Sequence, residues 1–545
     1  VATSTVANRA SVAPTRQGLI LIALVMGAGV ANMNLAVANV GLPDIGRDLN
    51  ASQTGLNLVA VGFSLGLAAS VLYLGALGDR YGRKMMLILG LVLGIPAAFL
   101  SALSPTVELL ALSRLLGGLA AGMAYPTTLA LITALWSGPA RTRAIALWSA
   151  LGAAMSSMSP LIAGAILLKF AWGWSFLIAV PFAVIAIVLV WRYVPSHVNE
   201  TKERVDHLGG VLSAIFIGGL VLGINYVSLP GQLDRAIFLL LLSAGAGIAF
   251  FIRQRLAGSP LFDLRYAARP TFWVSAVAGI IVFGSLMGAM YIGQQFLQNV
   301  LGYNALQAGS SIVPCAVFMV AAAPFSSRLI ERYGSRVTLL MGFVACTLGF
   351  MSMYFLWTTT TTVGVVILSY ALIGLGVGIA GTPASHALTD SVPVTKVGMA
   401  SGTGDLQRDL GGSIMQSMLG AILGAGYAGA IATSIANAPE AVKSGITSGV
   451  ATGLAKSFGS AEDLAKQYPD YANAIVEAAK TSFLEGADWA YVAGILTMLV
   501  GILLVFLFFP RREKERDLYA RYAASAQAEL LSSTTGTEGR ASPTS

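Results

Sequence analysis

Apolar stretches of about 20 residues, the length a helix needs to cross a bilayer, recur along nearly the whole chain. Short clusters of Gly, Pro and charged residues separate them, as turns between helices would. The pattern predicts fourteen spans, near 17–42, 53–77, 85–104, 107–135, 144–167, 175–194, 208–228, 236–256, 271–297, 304–326, 336–356, 362–386, 397–425 and 487–510. An even number puts both termini on one side. The first run is too long for a signal-peptide core and is expected to be a retained span. One long connector, 427–486, is rich in Ala, Ser and Gly with scattered charges, and 462–480 within it has the makings of an amphipathic helix. It is expected to be a partly ordered loop without chemistry of its own. The tail beyond Arg511 is charged and then Ser/Thr/Gly-rich, and is expected to be flexible.

Two internal repeats divide the chain. Gly75-Ala-Leu-Gly78-Asp79-Arg80-Tyr81-Gly82-Arg83-Lys84 returns 252 residues later, in weaker form, as Ser327-Arg328-Leu-Ile-Glu331-Arg332-Tyr333-Gly334-Ser-Arg336. Gly117-Gly118-Leu-Ala-Ala-Gly122-Met-Ala-Tyr125-Pro126 is echoed 257 residues on by Gly374-Leu-Gly376-Val-Gly378-Ile-Ala-Gly381-Thr382-Pro383. Six spans at roughly 20 residues each, with short loops, need only about 190 residues. The excess leaves room for two more spans between the halves, and 208–256 supplies them. The expected fold is therefore an all-α membrane protein of 14 transmembrane helices, two six-helix bundles with two extra helices between them. Its expected parts are a tail 1–16, a first bundle 17–194, a linker 195–270 carrying the extra helices, a second bundle 271–510 and a tail 511–545. Duplicated membrane bundles of this kind usually transport solutes.

Composition sharpens this picture. The chain is 56% hydrophobic and 11% charged, against roughly 25% charged in soluble domains. Its net charge of +8 does not point to nucleic acid, because the bases are not interleaved with aromatics on one face. They crowd the connectors on the side of the termini: Arg80, Arg83, Lys84, Arg141, Arg143, Lys202, Arg204, Arg253, Arg255, Arg328, Arg332, Arg336 and Lys396. By the positive-inside rule the termini are then cytoplasmic, in a multi-pass protein of the plasma membrane. Cys315 and Cys346 fall inside apolar runs as small core residues, and no His or Cys spacing suggests a metal. No Gly-x-x-x-x-Gly-Lys-Ser/Thr loop offers a seat for ATP, so neither an enzyme nor a bound cofactor is expected.

Inside the apolar spans charge is scarce. Of the 25 acids only Asp405 and Asp409 lie deep in one, with Arg408 between them in sequence. Four residues apart, the two acids project from nearly the same helical face. Ionisable groups in hydrocarbon are expensive and usually face a polar interior. Two roles stay open for the cluster: proton exchange by one of the carboxylates with Arg408 as modulator, or a static network tying helices together. A central cavity is expected to draw on Asn34, Asn39, Tyr291, Gln294 and Gln295 as polar groups and on Tyr125, Trp148 and Met155 as apolar walls. Amides, aromatics and Met together suit bulky amphipathic solutes.

The run from Gly75 to Lys84 resembles the loop signature between the second and third helices of the major facilitator superfamily. Arg114-Leu-Leu-Gly117-Gly118-Leu-Ala120 is similar to its fourth-helix motif. Asn34-Leu-Ala-Val-Ala-Asn39-Val-Gly-Leu-Pro43 is similar to the first-helix motif of the fourteen-helix drug:proton antiporters, with Asn34 where that motif opens on Asp. Trp172-Gly-Trp174-Ser-Phe176 and Gly398-Met-Ala400-Ser401 resemble further signatures of that branch. In the fifth helix Pro160 and Gly164 match the antiporter motif, which serves helix packing, while Met155, Ser159 and Ala163 stand where it has glycines.

The resemblance implies proton-coupled efflux of amphipathic drugs or lipophilic compounds by alternating access, driven by the proton gradient, with the chain working as a monomer in a lipid bilayer. It implies a coupling role for Arg114. It further implies that Gly75, Asp79, Arg80, Gly82, Arg83 and Lys84, with Glu331, Arg332 and Gly334 in the second half, form loops that latch the two bundles. Carriage of a lipid or metabolite on the same scaffold is an alternative. A transport-inactive receptor or scaffold is another.

Overall fold

Thirteen helices among the described residues are long and apolar enough to cross a membrane. A fourteenth helix spans Gly138–Leu167, its shorter apolar stretch being Met158–Leu167. The computed structural model describes residues 16–136, 138–196, 205–227, 232–393, 397–438, 443 and 446–538. The tail 1–16, apart from Arg16, lies outside the described residues. So do Lys202, Arg204, Lys396 and the side chains of Arg141 and Arg143.

In chain order the first bundle comprises α1 (Gln17–Asp48), α2 (Gln53–Tyr81), α3 (Arg83–Ala102), α4 (Val107–Leu135), α5 (Gly138–Leu167) and α6 (Gly173–Tyr193). The extra pair is α7 (His207–Val227) and α8 (Leu233–Leu256). The second bundle comprises α9 (Pro270–Val300), α10 (Ala305–Tyr333), α11 (Ser335–Leu356), α12 (Val363–Asp390), α13 (Val397–Ala436) and α14 (Ala472–Phe508). A last helix, α15, covers Arg512–Glu538. No strand occurs among the described residues. The near end of the bundle is the one where α1 begins and α14 ends, and the opposite end is the far end.

Local chemistry sets the helix ends. The Ser52 hydroxyl accepts the Gly55 N–H at 3.1 Å at the start of α2, and Thr106 caps α4 in the same way. Asn304 and Gln307 exchange bonds as a capping box opening α10. The two repeated loops share a backbone device: Gly82 and Gly334 have φ of 123° and 85°, a region open to Gly at little cost. Each turns the chain between consecutive helices without leaving the near end. Pro126 and Pro383 lie inside α4 and α12 at matching places, so the duplication is visible in geometry as well as in sequence.

Packing separates the halves and places the extra pair. In the first half α4 packs against both α2 and α3, while α1 packs against α5 and α6. In the second, α12 packs against α10 and α11, and α9 against α13. The seam between halves runs along α2 and α13 on one side and α5 and α10 on the other. The extra helices pair with each other, and α7 docks on α2 and α13 together, astride the seam.

Two expectations need correction. The segment 427–486 is largely helical: α13 continues to Ala436, the short helices Ser448–Lys456 and Phe458–Gln467 follow, and α14 begins at Ala472. Arg47 donates to Glu462 at 2.7 Å, Lys456 to Asn50 at 2.9 Å and Tyr427 to the Leu454 carbonyl at 3.0 Å. The first two bonds seat the segment at the far end of α1, and the third ties its first short helix to α13. The second correction concerns the tail expected to be flexible, whose described residues form α15 while 539–545 lie outside the described residues. Arg512 donates to the Glu331 carbonyl at 2.8 Å, the Ser335 N–H donates to Glu515 at 3.2 Å, and the Arg269 guanidinium lies 4.0 Å from the centre of the Tyr522 ring. Glu515 thereby caps the N-terminus of α11, where a negative charge is favoured.

Burial raises the Glu515 carboxyl above the usual range. The bonds from Ser335 oppose the shift, nearby Asp390 adds to it and His386 opposes it. A group that binds its proton more tightly when docked favours docking at low pH. The contribution is complete below the ordinary glutamate value of about 4.3 and fades as pH climbs through the raised one. Hydrogen exchange of the Ser335 amide should therefore quicken from pH 5 to pH 8 beyond its intrinsic pH dependence, and Glu515→Gln should remove that excess slope.

Candidate functional site

The acid–base cluster predicted on α13 lies inside the protein. Asp405 and Asp409 are 8% and 4% exposed, and both acids and the Arg408 guanidinium act electrostatically on Tyr125 of α4. Among the described residues no ion pair joins Arg408 to either acid. Its guanidinium instead crosses the seam, donating to the Tyr125 hydroxyl at 3.2 Å and to the Asn32 side-chain oxygen at 3.4 Å. One carboxylate oxygen of Asp409 is buried with no hydrogen-bond partner. A cation from one half thus spends its bonds on the other half and leaves an acid beside it unmatched. Burial makes an unmatched charge costly.

Amides close the far end. Gln53 of α2 donates to Gln295 at 2.8 Å and to the Tyr291 hydroxyl at 3.2 Å, both on α9. Gln298 donates to the Val40 carbonyl of α1 at 2.9 Å. Asn57 of α2 donates to Asn225 of α7 at 2.6 Å, and Asn225 donates to the Ser417 hydroxyl of α13 at 2.7 Å. Backbones also meet here: a Cβ on Gly164 would strike the Ala305 carbonyl, and one on Gly309 the Pro160 carbonyl. The expected packing role of Pro160 and Gly164 therefore falls at the contact of α5 with α10. At the near end, a cavity of about 450 Å³ opens among α9, α10 and α12, lined by Phe283, Met319, Gly378, Thr382 and His386. Polar and backbone contacts between the halves thus close the far end, while the near-end cavity opens on the side of the second bundle.

The eight expected cavity residues separate into three groups. Tyr125, Trp148 and Asn39 sit by the seam: the Tyr125 and Trp148 rings lie 5.6 Å apart, and Gln416 of α13 donates to Asn39 at 3.5 Å. Tyr291 and Gln295 lie at the closed far end, where both are fully buried and accept from Gln53. The other three point elsewhere. Gln294 bonds the Ala308 carbonyl within the second half, Asn34 bonds the Val30 carbonyl within α1, and Met155 is wedged against Gly29.

Arg114 also lies away from the acid cluster. Buried to 2% exposure, it donates to the Asn34 backbone carbonyl at 2.8 Å and lies over the Phe63 and Phe176 rings. Gln53, Asn57, Asn225 and Asn32 went unnoticed in the sequence, although each is an amide within an apolar span, the signal that singled out Asn34.

The first repeated loop is tied within its own half. Arg83 bridges Asp79 at 2.8 Å and the Ala130 carbonyl of α4, and Lys84 donates to the Trp191 and Val194 carbonyls that end α6. That is a basic group at a helix C-terminus, where it is favoured. Arg80 lies against the Tyr81 ring, and Gly75 faces Pro126. In the second loop Arg332 lies against Tyr333, and α15 covers Glu331 and Gly334. The bonds of Asp79, Arg83 and Lys84 just given all stay within the first half.

If the Gly164–Ala305 contact seals the far end, Gly164→Val should hold that end ajar. Cysteines placed beside Gln53 and Gln298 should then react with a membrane-impermeant maleimide about 5- to 150-fold faster, the response expected when about 1–3 kcal/mol of overpacking falls on one state.

Comparison with known proteins agrees with this architecture. The sequence pattern of the Major Facilitator Superfamily matches residues 24–416. Multidrug resistance protein Stp of Mycobacterium tuberculosis (strain CDC 1551 / Oshkosh) is 30% identical over 403 residues, which cover 73% of this chain and 74% of that protein. Multidrug efflux pump LfrA of Mycolicibacterium smegmatis is 31% identical over 399 residues, 73% of this chain and 79% of the relative. Among solved structures, a bacterial homologue of the human lysosomal transporter Spinster, inward-facing and occupied, superposes with a TM-score of 0.64 at 15% identity, covering 92% of this chain and 98% of the other. The duplicated bundles and the matching glycine turns are thus those of a membrane transporter, and the chain belongs to the Major Facilitator Superfamily.

Proposed function

We propose that the protein exports amphipathic compounds by proton-coupled alternating access, as a monomer in the plasma membrane with both termini cytoplasmic. The observation that carries the proposal is the Arg408 bond across the seam beside an Asp409 oxygen without a partner. In the far-closed state Arg408 is held by Tyr125 and Asn32, so Asp409 keeps its proton. Rearrangement of the seam that breaks the Tyr125 bond frees the guanidinium to turn toward Asp409. The ionised acid is then stabilised and its proton leaves. Asp405, on the same face, is the second candidate carrier.

The repeated loops serve the opposite state, in which the near end closes and Asp79 and Glu331 meet partners across the seam. Tyr125 and Trp148 offer an aromatic wall beside the charge cluster, which suits solutes with an apolar body and a polar group. The names of the relatives Stp and LfrA lend support to drug-like substrates. Both halves of the path come from one chain, so a second copy adds nothing to it. Transport needs no bound cofactor beyond the proton gradient.

The test is a substrate screen in cells lacking their own exporters, with the full chain expressed and the gradient then collapsed by a protonophore. Resistance and dye efflux should rise above the empty-vector level and vanish on collapse. Efflux that survives collapse would contradict proton coupling.

A further inference from the structure

The first bundle contains a cavity of its own, enclosed by α1, α3, α4 and α6, with Arg114 in its wall. About 40 Å³ of it is accessible to water-sized groups, against the roughly 10–15 Å³ that a single water requires, so a group of a few heavy atoms fits. The guanidinium is the charge there. It donates to a backbone carbonyl, its Nε is buried without a partner, and no carboxylate lines the cavity. Asn34, next to it, is neutral. A buried cation without a counter-charge calls for an anion, and a planar guanidinium favours a carboxylate that it can bind with two N–H groups.

The cavity wall is otherwise apolar and small. Its rim, Gly94, Ile95 and Ala98 of α3 with Val180 of α6, is half-exposed on the outer surface of the bundle, beside the exposed Leu93 and Phe99. That surface meets lipid. Arg114 lies seven residues beyond Val107 in a 29-residue helix, about 10 Å from its far end. The helix overhangs a hydrocarbon layer of ~30 Å by about 6 Å at either end. The guanidinium therefore sits about 4 Å below the headgroup boundary, near the natural depth of an amphiphile's polar group.

We propose that this pocket binds a single-chain carboxylate amphiphile from the far leaflet, its carboxylate on Arg114 and its chain leaving between α3 and α6. The site lies off the seam between halves, so the inference is independent of the transport proposal and can fail or stand without it.

The test uses the full chain in nanodiscs of phosphatidylcholine and a photoactivatable palmitate analogue. Adducts should map to α3 or α6. Oleate should displace the probe at a concentration at least tenfold below that needed with oleylamine or phosphatidylglycerol. Ala98→Phe, which plugs the rim without touching the charge, and Arg114→Gln should each lower labelling at least tenfold. Should Arg114→Gln fail to fold, Ala98→Phe decides. Equal displacement by oleate and oleylamine, displacement by phosphatidylglycerol alone, full labelling of Ala98→Phe, or no adduct in either helix would each overturn the proposal.

Discussion

Asp409→Asn should abolish transport driven by a proton gradient while leaving exchange of substrate for substrate nearly intact. Asn keeps the size of the side chain and mimics the protonated acid, so the folded protein and its far-closed state should survive. What it removes is the ability to release a proton. A positioned group that takes and gives a proton typically contributes 10²–10⁴-fold, so gradient-driven flux should fall by at least about 100-fold. Asp405→Asn should cost less, because the Asp409 oxygen is the one left without a partner. Arg408→Gln should impair both modes, since it removes the Tyr125 bond as well as the modulating charge. The measurement is uptake into inverted vesicles with an imposed pH gradient, set beside counterflow in the same vesicles without one. Gradient-driven uptake that persists in Asp409→Asn and in the double mutant would refute coupling through this cluster.

Asn57→Leu is expected to shift the conformational balance toward the far-open state. Asn57 donates to Asn225 and to the Ser417 carbonyl, and both Asn57 and Asn225 are fully buried. The cluster fastens α2, α7 and α13 together, which gives the extra helices a physical role, with α7 strapping the seam where the halves meet. Leu at position 57 removes both of these bonds from a dry site. A buried hydrogen bond contributes about 0.5–1.5 kcal/mol net, so the pair is worth about 1–3 kcal/mol. Opening the far end admits water to the cluster, so the penalty falls on the closed state alone. The ratio of far-open to far-closed should then rise about 5- to 150-fold. Spin labels at Thr54 and Leu301 would report it as a longer distance across the far mouth. An unchanged distance distribution would remove the strap role from α7.

Some features were legible because they follow from local chemistry. Apolar runs of spanning length cannot be soluble connectors, so the helices were predictable one by one, with errors confined to their ends. Gly82 and Gly334 stood out because a tight turn that leaves the helix at positive φ favours Gly. Asp405 and Asp409 stood out because carboxylates in hydrocarbon are rare and costly. The 427–486 segment misled because Ala, Ser and Gly resemble a loop in composition, whereas contacts with Arg47, Asn50 and Tyr427 hold its helices. In α15 a polar composition concealed an anchor: the Glu515 carboxylate finds the bare N–H of Ser335 only once α11 is in place.

The number of helices, their duplication, their separation into six, two and six, and the scarcity of buried charge are properties of the sequence alone, because each depends on residues within about one helix length. Which side chains meet across the seam is not. Gln53 and Tyr291 are 238 residues apart, Asn57 and Asn225 168, and Arg408 and Tyr125 283. Only the folded arrangement decided that Arg408 bonds the opposite half rather than its neighbouring acids, and that Arg114 lines a cavity within the first bundle, apart from Asp405 and Asp409. Partner choice among scarce polar groups in an apolar interior depends on which helices lie side by side, and helical periodicity says which face a residue occupies but not what it will face.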